Sequence, residues 1–211
     1  MNLISNSDAH SLPNLGREAN IMEIEEISYS EIKEAIQNKK SGKLIKTIEF
    51  HPEEGIYHYD GHRKCGVCLA PEETKKKNCI CPQCGKPLTL GVAYRIDELS
   101  DRNKKDIHSL SEYVSIVPLQ ELIAEVLAVN KLSKKVQTIY EDLINKGKSE
   151  FNILLNLSTE ELKKIVDPFM LEAILRMRSG KIYLHPGYDG QYGVVKIFSD
   201  QERINQQQKL I

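Results

Sequence analysis

Apolar side chains recur at helical spacing in five segments of the chain. The first predicted helix spans residues 28–38, because Ser28 and Glu31 have the spacing of a capping box. Ile27 and Ile32 are placed to add a hydrophobic staple around its first turn. The other helices are predicted after residue 117, and each starts at a residue that favours a first turn: Pro118, Ser133, Ser158 and Asp167.

Four other segments have the composition of strands. Residues 44–50 predict a strand with alternating apolar positions. Residues 181–184 and 194–198 predict a β-ribbon, because the glycine-rich segment between them favours a tight loop. Residues 3–10 are interpreted as a short strand that runs into a polar loop. This mixture of helices and separate strands predicts an α+β protein.

The charge balance of the chain neither indicates nor excludes a nucleic-acid-binding protein. Its 211 residues include 29 basic and 30 acidic side chains, which gives a net charge of −1. A protein that follows phosphates usually has a basic excess, although a local basic patch is sufficient. No apolar run reaches the roughly 18 residues of a membrane span, and the first residues do not have the pattern of a signal peptide. We therefore expect a cytoplasmic protein without a membrane partner.

All five cysteines lie within twenty residues of one another, which favours a metal site over disulfides in a chain without a secretion signal. Two C-x2-C pairs, Cys65 with Cys68 and Cys81 with Cys84, are separated by twelve residues. Two thiolates three positions apart bind one tetrahedral Zn²⁺ when the backbone turns sharply between them. A zinc ion held only by protein ligands is structural rather than catalytic.

The spacing leaves the fourth zinc ligand open. Cys65, Cys81 and Cys84 are the strongest candidates, and Cys68 ranks next. His62 is the alternative to Cys68, because it stands three residues before Cys65. The remaining cysteine, at position 79, has only one residue between it and the second pair and is expected to be a bystander.

A second candidate metal site lies near the amino terminus. Asp8 and His10 place a carboxylate and an imidazole on alternate positions at the end of the first predicted strand. Both side chains would then face one site and suit a hydrolytic metal ion. Taken alone, a D-x-H pair is more often a turn aspartate and a surface histidine.

Longer stretches around these residues resemble known motifs. The residues from Asn6 to Ser11, with Leu-Gly-Arg-Glu at 15–18, resemble the final metal motif of the PHP (polymerase and histidinol phosphatase) superfamily. The stretch His-Pro-Gly-Tyr-Asp-Gly-Gln-Tyr-Gly at 185–193 resembles the terminal loop of the endonuclease Q family. Four segments of the chain resemble the zinc region of that family, at residues 61–65, 71–74, 81–89 and 91–92. These matches are collinear and cover nearly the whole chain.

The resemblance implies a phosphodiester-cleaving enzyme of DNA repair. Members of this family are PHP-type nucleases that nick DNA on the 5′ side of deaminated bases, such as uracil and hypoxanthine, and at abasic sites. Their reaction implies a cluster of divalent metal ions, whose bound water attacks phosphorus while the metals stabilise the leaving oxygen. By their position in the motif, Asp8 and His10 would be catalytic ligands of that cluster.

The resemblance also implies that most of the active site is missing. A PHP barrel takes metal ligands from several strand ends, and its other motifs, normally upstream, do not occur here. We therefore expect this chain to be the carboxy-terminal portion of such an enzyme. Its partner would be the missing PHP segment, and the chain alone is not expected to cut DNA. Five parts are expected: the end of a PHP-type domain at 1–27, a connecting helix and strand at 28–55, a zinc-binding module at 56–95, a helical domain at 96–180 and a terminal β-ribbon at 181–211.

In the first functional hypothesis, the chain recognises damaged DNA. Enzymes that act on a base often extrude it from the stack and hold it between aromatic side chains. Tyr188 and Tyr192 would stack on such a base, and Asp189 would hydrogen-bond its edge. The phosphate contacts are expected just before this loop, at Arg176, Arg178 and Lys181.

In the second hypothesis, the chain is a non-enzymatic adaptor or scaffold built from a zinc ribbon and helices. The near-neutral net charge favours this alternative. The two hypotheses differ in surface charge, since a DNA-binding module collects its basic side chains on one side and an adaptor scatters them. The side chains concerned are Lys39, Lys40, Lys43, Lys46, Lys104, Lys105 and the group around Arg176.

Overall fold

The structure is a computed structural model, and it describes residues 2–102 and 112–203. In chain order the elements are β1 (Ala19–Met22), α1 (Tyr29–Gln37), β2 (Leu44–Glu49), β3 (Asp60–His62), β4 (Val67–Leu69), α2 (Pro71–Lys76), α3 (Val92–Leu99), β5 (Glu112–Ser115), α4 (Leu119–Leu127), α5 (Lys134–Gly147), a π-helical turn (Asn152–Asn156), α6 (Thr159–Leu162), α7 (Pro168–Arg178), β6 (Tyr183–His185) and β7 (Val194–Lys196). The α+β class is confirmed.

The chain divides into two units, of which the first comprises residues 1–51 and 100–116. Its sheet has the order β1-β2-β5, with β1 antiparallel and β5 parallel to the central strand β2. The predicted strand at 44–50 is therefore confirmed as β2, whose Leu44 and Ile48 are buried. Ala35 of α1 is also fully buried.

Three local predictions for the first unit are wrong: the first strand, the hydrophobic staple and the reciprocal capping box. Residues 2–9 form no strand, because Leu3 and Ile4 remain exposed and the segment has no apolar face to bury. Ser28 caps α1 by accepting the N–H of Glu31, but the exposed Ile27 forms no hydrophobic staple. The carboxylate of Glu31 binds Lys43 at 2.7 Å instead of reaching back to the cap.

The second unit comprises residues 52–99 and 117–211. Residues 52–99, named here the cysteine module, contain the β3–β4 hairpin, α2 and α3. Its apolar cluster is small: Val67, Cys81 and Leu88 are buried, with Cys65 and Leu69 packed beside them. A cluster of this size buries too little apolar surface to fold a module of this length alone.

The helical part of the second unit follows the predicted helix starts closely. Ser133 caps α5, which ends at Gly147 as predicted, and Ser158 caps α6 through a reciprocal capping box. Asp167 caps α7 by accepting the N–H groups of Phe169 and Met170. The helices enclose an apolar core that includes Leu119, Leu122, Ile123, Val136, Leu143, Ile153, Leu154, Leu162, Ala173 and Ile174.

The predicted terminal ribbon is confirmed, because β6 and β7 pair antiparallel with Leu184 opposite Val195. Residues 186–193 form the loop between these strands and are named here the terminal loop. Within the described ranges, no helix combines the length and the apolar character that crossing a membrane requires.

Candidate metal centre and terminal loop

Four ligand-type side chains of the cysteine module meet at one point. The imidazole of His62 and the thiols of Cys65, Cys81 and Cys84 have their ligand atoms within 4.8 Å of one another. His62 Nδ1 and Cys84 Sγ lie 3.2 Å apart. Zn–S bonds of about 2.3 Å and Zn–N bonds of about 2.1 Å suit a group of this size. Across residues 2–102 and 112–203, no other group of three or more such side chains is brought together.

The first pair of ligands lies on a turn at the end of β3. His62 is the last residue of that strand, and a short 3₁₀ turn then brings Cys65 back beside it. The turn closes with Gly66, whose φ of 63° is left-handed and whose N–H binds the Arg63 carbonyl at 3.0 Å. Glycine adopts this backbone conformation without a steric cost.

The second pair of ligands lies on a turn of the same kind. Cys81 and Cys84 are also three residues apart, and Gly85 follows with a φ of 69°. The Gly85 N–H binds the Cys81 carbonyl at 2.9 Å, and the Cys81 N–H binds the Lys86 carbonyl at 2.8 Å. In both turns a ligand, two further residues, a second ligand and a left-handed glycine follow one another.

The pKa values of Cys65 and Cys81 are shifted in opposite directions. Burial opposes ionisation of Cys81, but the N–H groups of Gln83 and Cys84, with His62, outweigh it and lower the pKa of Cys81 to about 6. Hydrogen bonding to Cys84, burial and Cys81 raise the pKa of Cys65 to about 11. A divalent cation among them would remove this conflict, because it stabilises every thiolate that it binds.

The other two cysteines lie outside this group. Cys68 pairs with Gly61 in the β3–β4 hairpin, and its Sγ lies 3.9 Å from the Pro186 carbonyl oxygen. Cys79 Sγ lies 3.4 Å from the Tyr94 hydroxyl. The structure thus brings His62, and not Cys68, to the other three ligands. A sequence signal for this choice exists, since a glycine directly follows the second ligand of each turn but does not follow Cys68.

The terminal loop is fastened to the cysteine module through Asp189. Its carboxylate accepts the Arg63 N–H and the Thr89 hydroxyl, both at 2.7 Å. These two bonds lower the pKa of Asp189 below its ordinary value. The Asp189 backbone itself has a φ of 44°, which is uncommon for a residue with a side chain. Asp189 therefore joins the loop to the segment between His62 and Cys65, instead of presenting a free carboxylate to a base.

Backbone contacts reinforce this attachment. The Gly187 N–H binds the Glu53 carbonyl at 2.8 Å, and the Tyr59 N–H binds the Gly187 carbonyl at 2.9 Å. A Cβ at Gly193 would lie 1.9 Å from the Glu53 carbonyl oxygen, so only glycine fits there. The loop glycines thus allow the loop to pack closely on the cysteine module.

The two tyrosines of the loop have different environments. The Tyr188 ring packs on Gly61, where an added Cβ would lie 2.3 Å from Tyr188 Cδ2. Tyr192 is 76% exposed. Tyr192 is therefore the more exposed tyrosine of the loop, while half-buried Tyr188 helps to attach the loop.

Two of the predicted phosphate contacts have internal roles. Arg178 donates to the carbonyl oxygens of Leu154, Leu157 and Ile153 at 2.7–2.8 Å, and burial lowers its pKa. Arg176 binds two carboxylates at 2.8 Å and stacks on the Phe198 ring. The guanidinium groups of both arginines are thus already engaged within the chain, and their contact with phosphate stays a prediction. Lys181 is exposed.

Asp8 and His10 are both exposed, and His10 Nδ1 lies 2.8 Å from the Asp8 carbonyl oxygen. They belong to no group of three or more metal-ligand side chains in the described part of the chain. Among the basic residues expected on one DNA-facing side, Lys104 and Lys105 lie outside the described residues, and Lys43 pairs with Glu31.

Comparison with known proteins gives consistent matches. Residues 118–181 match a family described as the MJ0043 C-terminal domain. The chain is 37% identical over 199 residues to uncharacterized protein MJ0043 of Methanocaldococcus jannaschii. This match covers 91% of the chain and 25% of that protein. It is 31% identical over 196 residues to uncharacterized protein YqxK of Bacillus subtilis, covering 92% of the chain and 46% of that protein.

Two solved structures are similar over nearly the whole chain. The lesion-specific endonuclease PfuEndoQ of Pyrococcus furiosus matches with a TM-score of 0.81 and 29% identity, over 98% of this chain and 53% of that one. An endonuclease Q in complex with a 27-mer duplex that has an abasic lesion at the active site matches with a TM-score of 0.74 and 31% identity, over 93% and 50% of the chains. The resemblance to endonuclease Q is confirmed, and the chain spans at most about half the length of these relatives.

Proposed function

Because this chain is similar to endonuclease Q in sequence and fold over nearly its whole length, we propose that it is the DNA-recognition portion of a metal-dependent repair endonuclease. The observation that carries the proposal is the match, at a TM-score of 0.74, to a relative solved with a lesion-containing duplex. The lesions we propose are deaminated bases and abasic sites, with the nick made on the 5′ side. Tyr192 is the proposed base-stacking residue, since it is the exposed tyrosine of the terminal loop.

The proposed metal in the cysteine module is a structural Zn²⁺ bound by His62, Cys65, Cys81 and Cys84. Three thiols and one imidazole are a donor set that zinc favours, and four protein ligands leave no position open for substrate. The module has little apolar core, so metal binding would supply much of its folding free energy. Zinc would hold the recognition surface in place and take no part in phosphodiester cleavage.

Cleavage is proposed to need more of the active site than these 211 residues supply. Asp8 and His10 are exposed, and the described part of the chain brings no third ligand to them. A divalent-metal cluster that activates water and stabilises the leaving oxygen requires several fixed ligands. The 211-residue chain is thus expected to bind damaged DNA and leave it uncut.

The test measures binding and cleavage with the same protein. Fluorescence anisotropy with labelled duplexes, one intact and one with a single abasic site, should show binding with a preference for the damaged duplex. Incubation with Mg²⁺ or Mn²⁺ should leave both duplexes intact. No binding at low salt would overturn the recognition role and favour the adaptor hypothesis. Metal-dependent nicking that is lost in Asp8→Ala would show that the chain is itself the nuclease.

A further inference from the structure

We propose that a basic pocket in the helical part of the second unit binds a backbone phosphate of DNA. The pocket has a volume of about 440 Å³ and lies where α5 ends, beside the π-helical turn and α6. The side chains that matter for this inference are Lys146, Lys148, Asn152, Asn156, Glu161 and Lys164. The inference rests on the proposed DNA-recognition role and assigns a specific site to it.

The charge of the pocket differs from that of the chain. Three lysines and one glutamate give its lining a formal charge of +2, whereas the whole chain has a net charge of −1. Glu161 already accepts the N–H and hydroxyl of Ser158 at 2.8 Å and 2.7 Å. Lys146 pairs with Asp142 at 2.6 Å. Lys148 and Lys164 make no ion pair with any described residue, and the Ser158 hydrogen bonds together with the nearby charge of Lys164 lower the pKa of Glu161. Two ammonium groups are therefore available to an anion.

The backbone of Lys148, which lines the pocket, has an uncommon conformation. Lys148 has a φ of 71° and a ψ of −40°, a region that residues with a side chain rarely adopt. Gly147 before it is buried, and a Cβ there would lie 2.3 Å from the Ile153 side chain. Asn152 fixes this turn by donating to the Gly147 carbonyl at 2.9 Å.

Two features of this construction point to a function. Glycine would fit the backbone at position 148 better than lysine does, and such strained positions concentrate at functional sites. The adjacent turn Asn152–Asn156 is π-helical, a form that also occurs frequently at functional sites. The strained backbone of Lys148 is therefore explained if its ammonium group must lie at the pocket to bind a phosphate.

The chemistry of the lining suits a phosphate. Lysine ammonium groups and asparagine amides are common donors to the phosphate oxygens of nucleic acids. Asn156 is exposed beside the pocket, and its amide makes no hydrogen bond to another described residue. Contacts of this type position a protein on DNA without reading its sequence. The pocket should thus contribute equally to damaged and undamaged duplex.

The experiment compares two pocket variants, Lys148→Gly and Lys164→Ala, with the control Lys163→Ala. Lys163 is exposed, pairs with Glu160 and does not line the pocket. Anisotropy titrations with the full chain would use an intact and an abasic duplex at several salt concentrations. Each pocket variant should bind both duplexes several-fold more weakly, and the slope of log affinity against log salt should fall by about 0.9 per lost contact. The control should bind like the unmodified chain.

A second measurement separates a functional role from a structural one. Lys148→Gly relieves the strained backbone, so its midpoint of thermal unfolding should stay the same or rise while its affinity for DNA falls. Pocket variants that bind DNA as tightly as Lys163→Ala would overturn this inference and leave the recognition role standing. If the unmodified chain binds neither duplex, the recognition role itself fails, and this inference fails with it.

Discussion

Replacement of Asp189 by alanine should separate the terminal loop from the cysteine module. The substitution removes both carboxylate bonds, to Arg63 and to Thr89, that link segments 126 and 100 residues apart. A hydrogen bond to a charged acceptor contributes about 1.5–3 kcal/mol when well shielded from water. Because Asp189 is only half-buried, we expect a total loss of about 2–3 kcal/mol, or roughly 5–10 °C in the midpoint of thermal unfolding.

The same substitution should loosen the metal centre. The Arg63 N–H that binds Asp189 directly follows His62, so its release frees one side of the first ligand turn. Transfer of zinc from the protein to a coloured chelator should then be faster in Asp189→Ala than in the unmodified chain. Asp200→Ala is the matched control, because Asp200 forms an exposed ion pair with Lys196 and touches no ligand turn.

The pH dependence of stability gives an independent check on this bond. The folded-state pKa of Asp189 lies below its ordinary value, so its stabilising effect is complete above the unfolded pKa and is lost as pH falls through the folded pKa. The stability advantage over Asp189→Asn should therefore shrink below about pH 4. Both proteins share the metal ligands, so their difference isolates Asp189. An unchanged unfolding midpoint together with an unchanged rate of zinc transfer in Asp189→Ala would refute the reasoning.

Three further predictions concern the ligand set, the helical core and the loop. His62→Ala should lose zinc while Cys68→Ser keeps about one ion per chain, as measured by elemental analysis of protein purified without chelator; the reverse result would restore Cys68 as the ligand. Arg178→Ala should lower the unfolding free energy by about 2–4 kcal/mol in denaturant titrations, because three carbonyl oxygens lose their donor; an unchanged value would contradict this role. Tyr192→Ala should weaken binding to a duplex with a single deoxyuridine by about 1–3 kcal/mol, with little effect on intact duplex and none in Tyr192→Phe; equal losses on both duplexes would remove Tyr192 from lesion recognition.

The parts of the fold that could be predicted are those that depend on neighbouring residues. The caps of α5 and α6, at Ser133 and Ser158, and the end of α5 at Gly147 follow from local hydrogen bonding that the sequence encodes directly. The strands β1 and β5 could not be predicted, because both depend on pairing with β2. β5 joins the sheet 66 residues after its partner, as Lys46 opposite Glu112 shows, and no alternation of apolar residues marks it.

In the candidate site too, features that depend on neighbouring residues could be predicted, and features that depend on distant partners could not. The cysteine spacing predicts a metal centre, but the choice between His62 and Cys68 depends on where the backbone turns. For Arg178 and Asp189, the residue type suits DNA contact and internal bonding equally well, and only the distant partners reveal the internal bonds. These partners lie 21–25 residues away for Arg178 and at least 100 residues away for Asp189, beyond the reach of any local pattern.

The attachment through Asp189 also changes how a structural metal affects recognition. If zinc fixes the turn between His62 and Cys65, it fixes the Arg63 N–H that holds Asp189. Asp189 in turn orients a loop whose exposed aromatic face is Tyr192, three residues further along the chain. The ion would therefore influence contact with a damaged base without touching DNA, because it determines the position of the loop. On this view the cysteine module and the terminal loop, although distant in sequence, act as one recognition element.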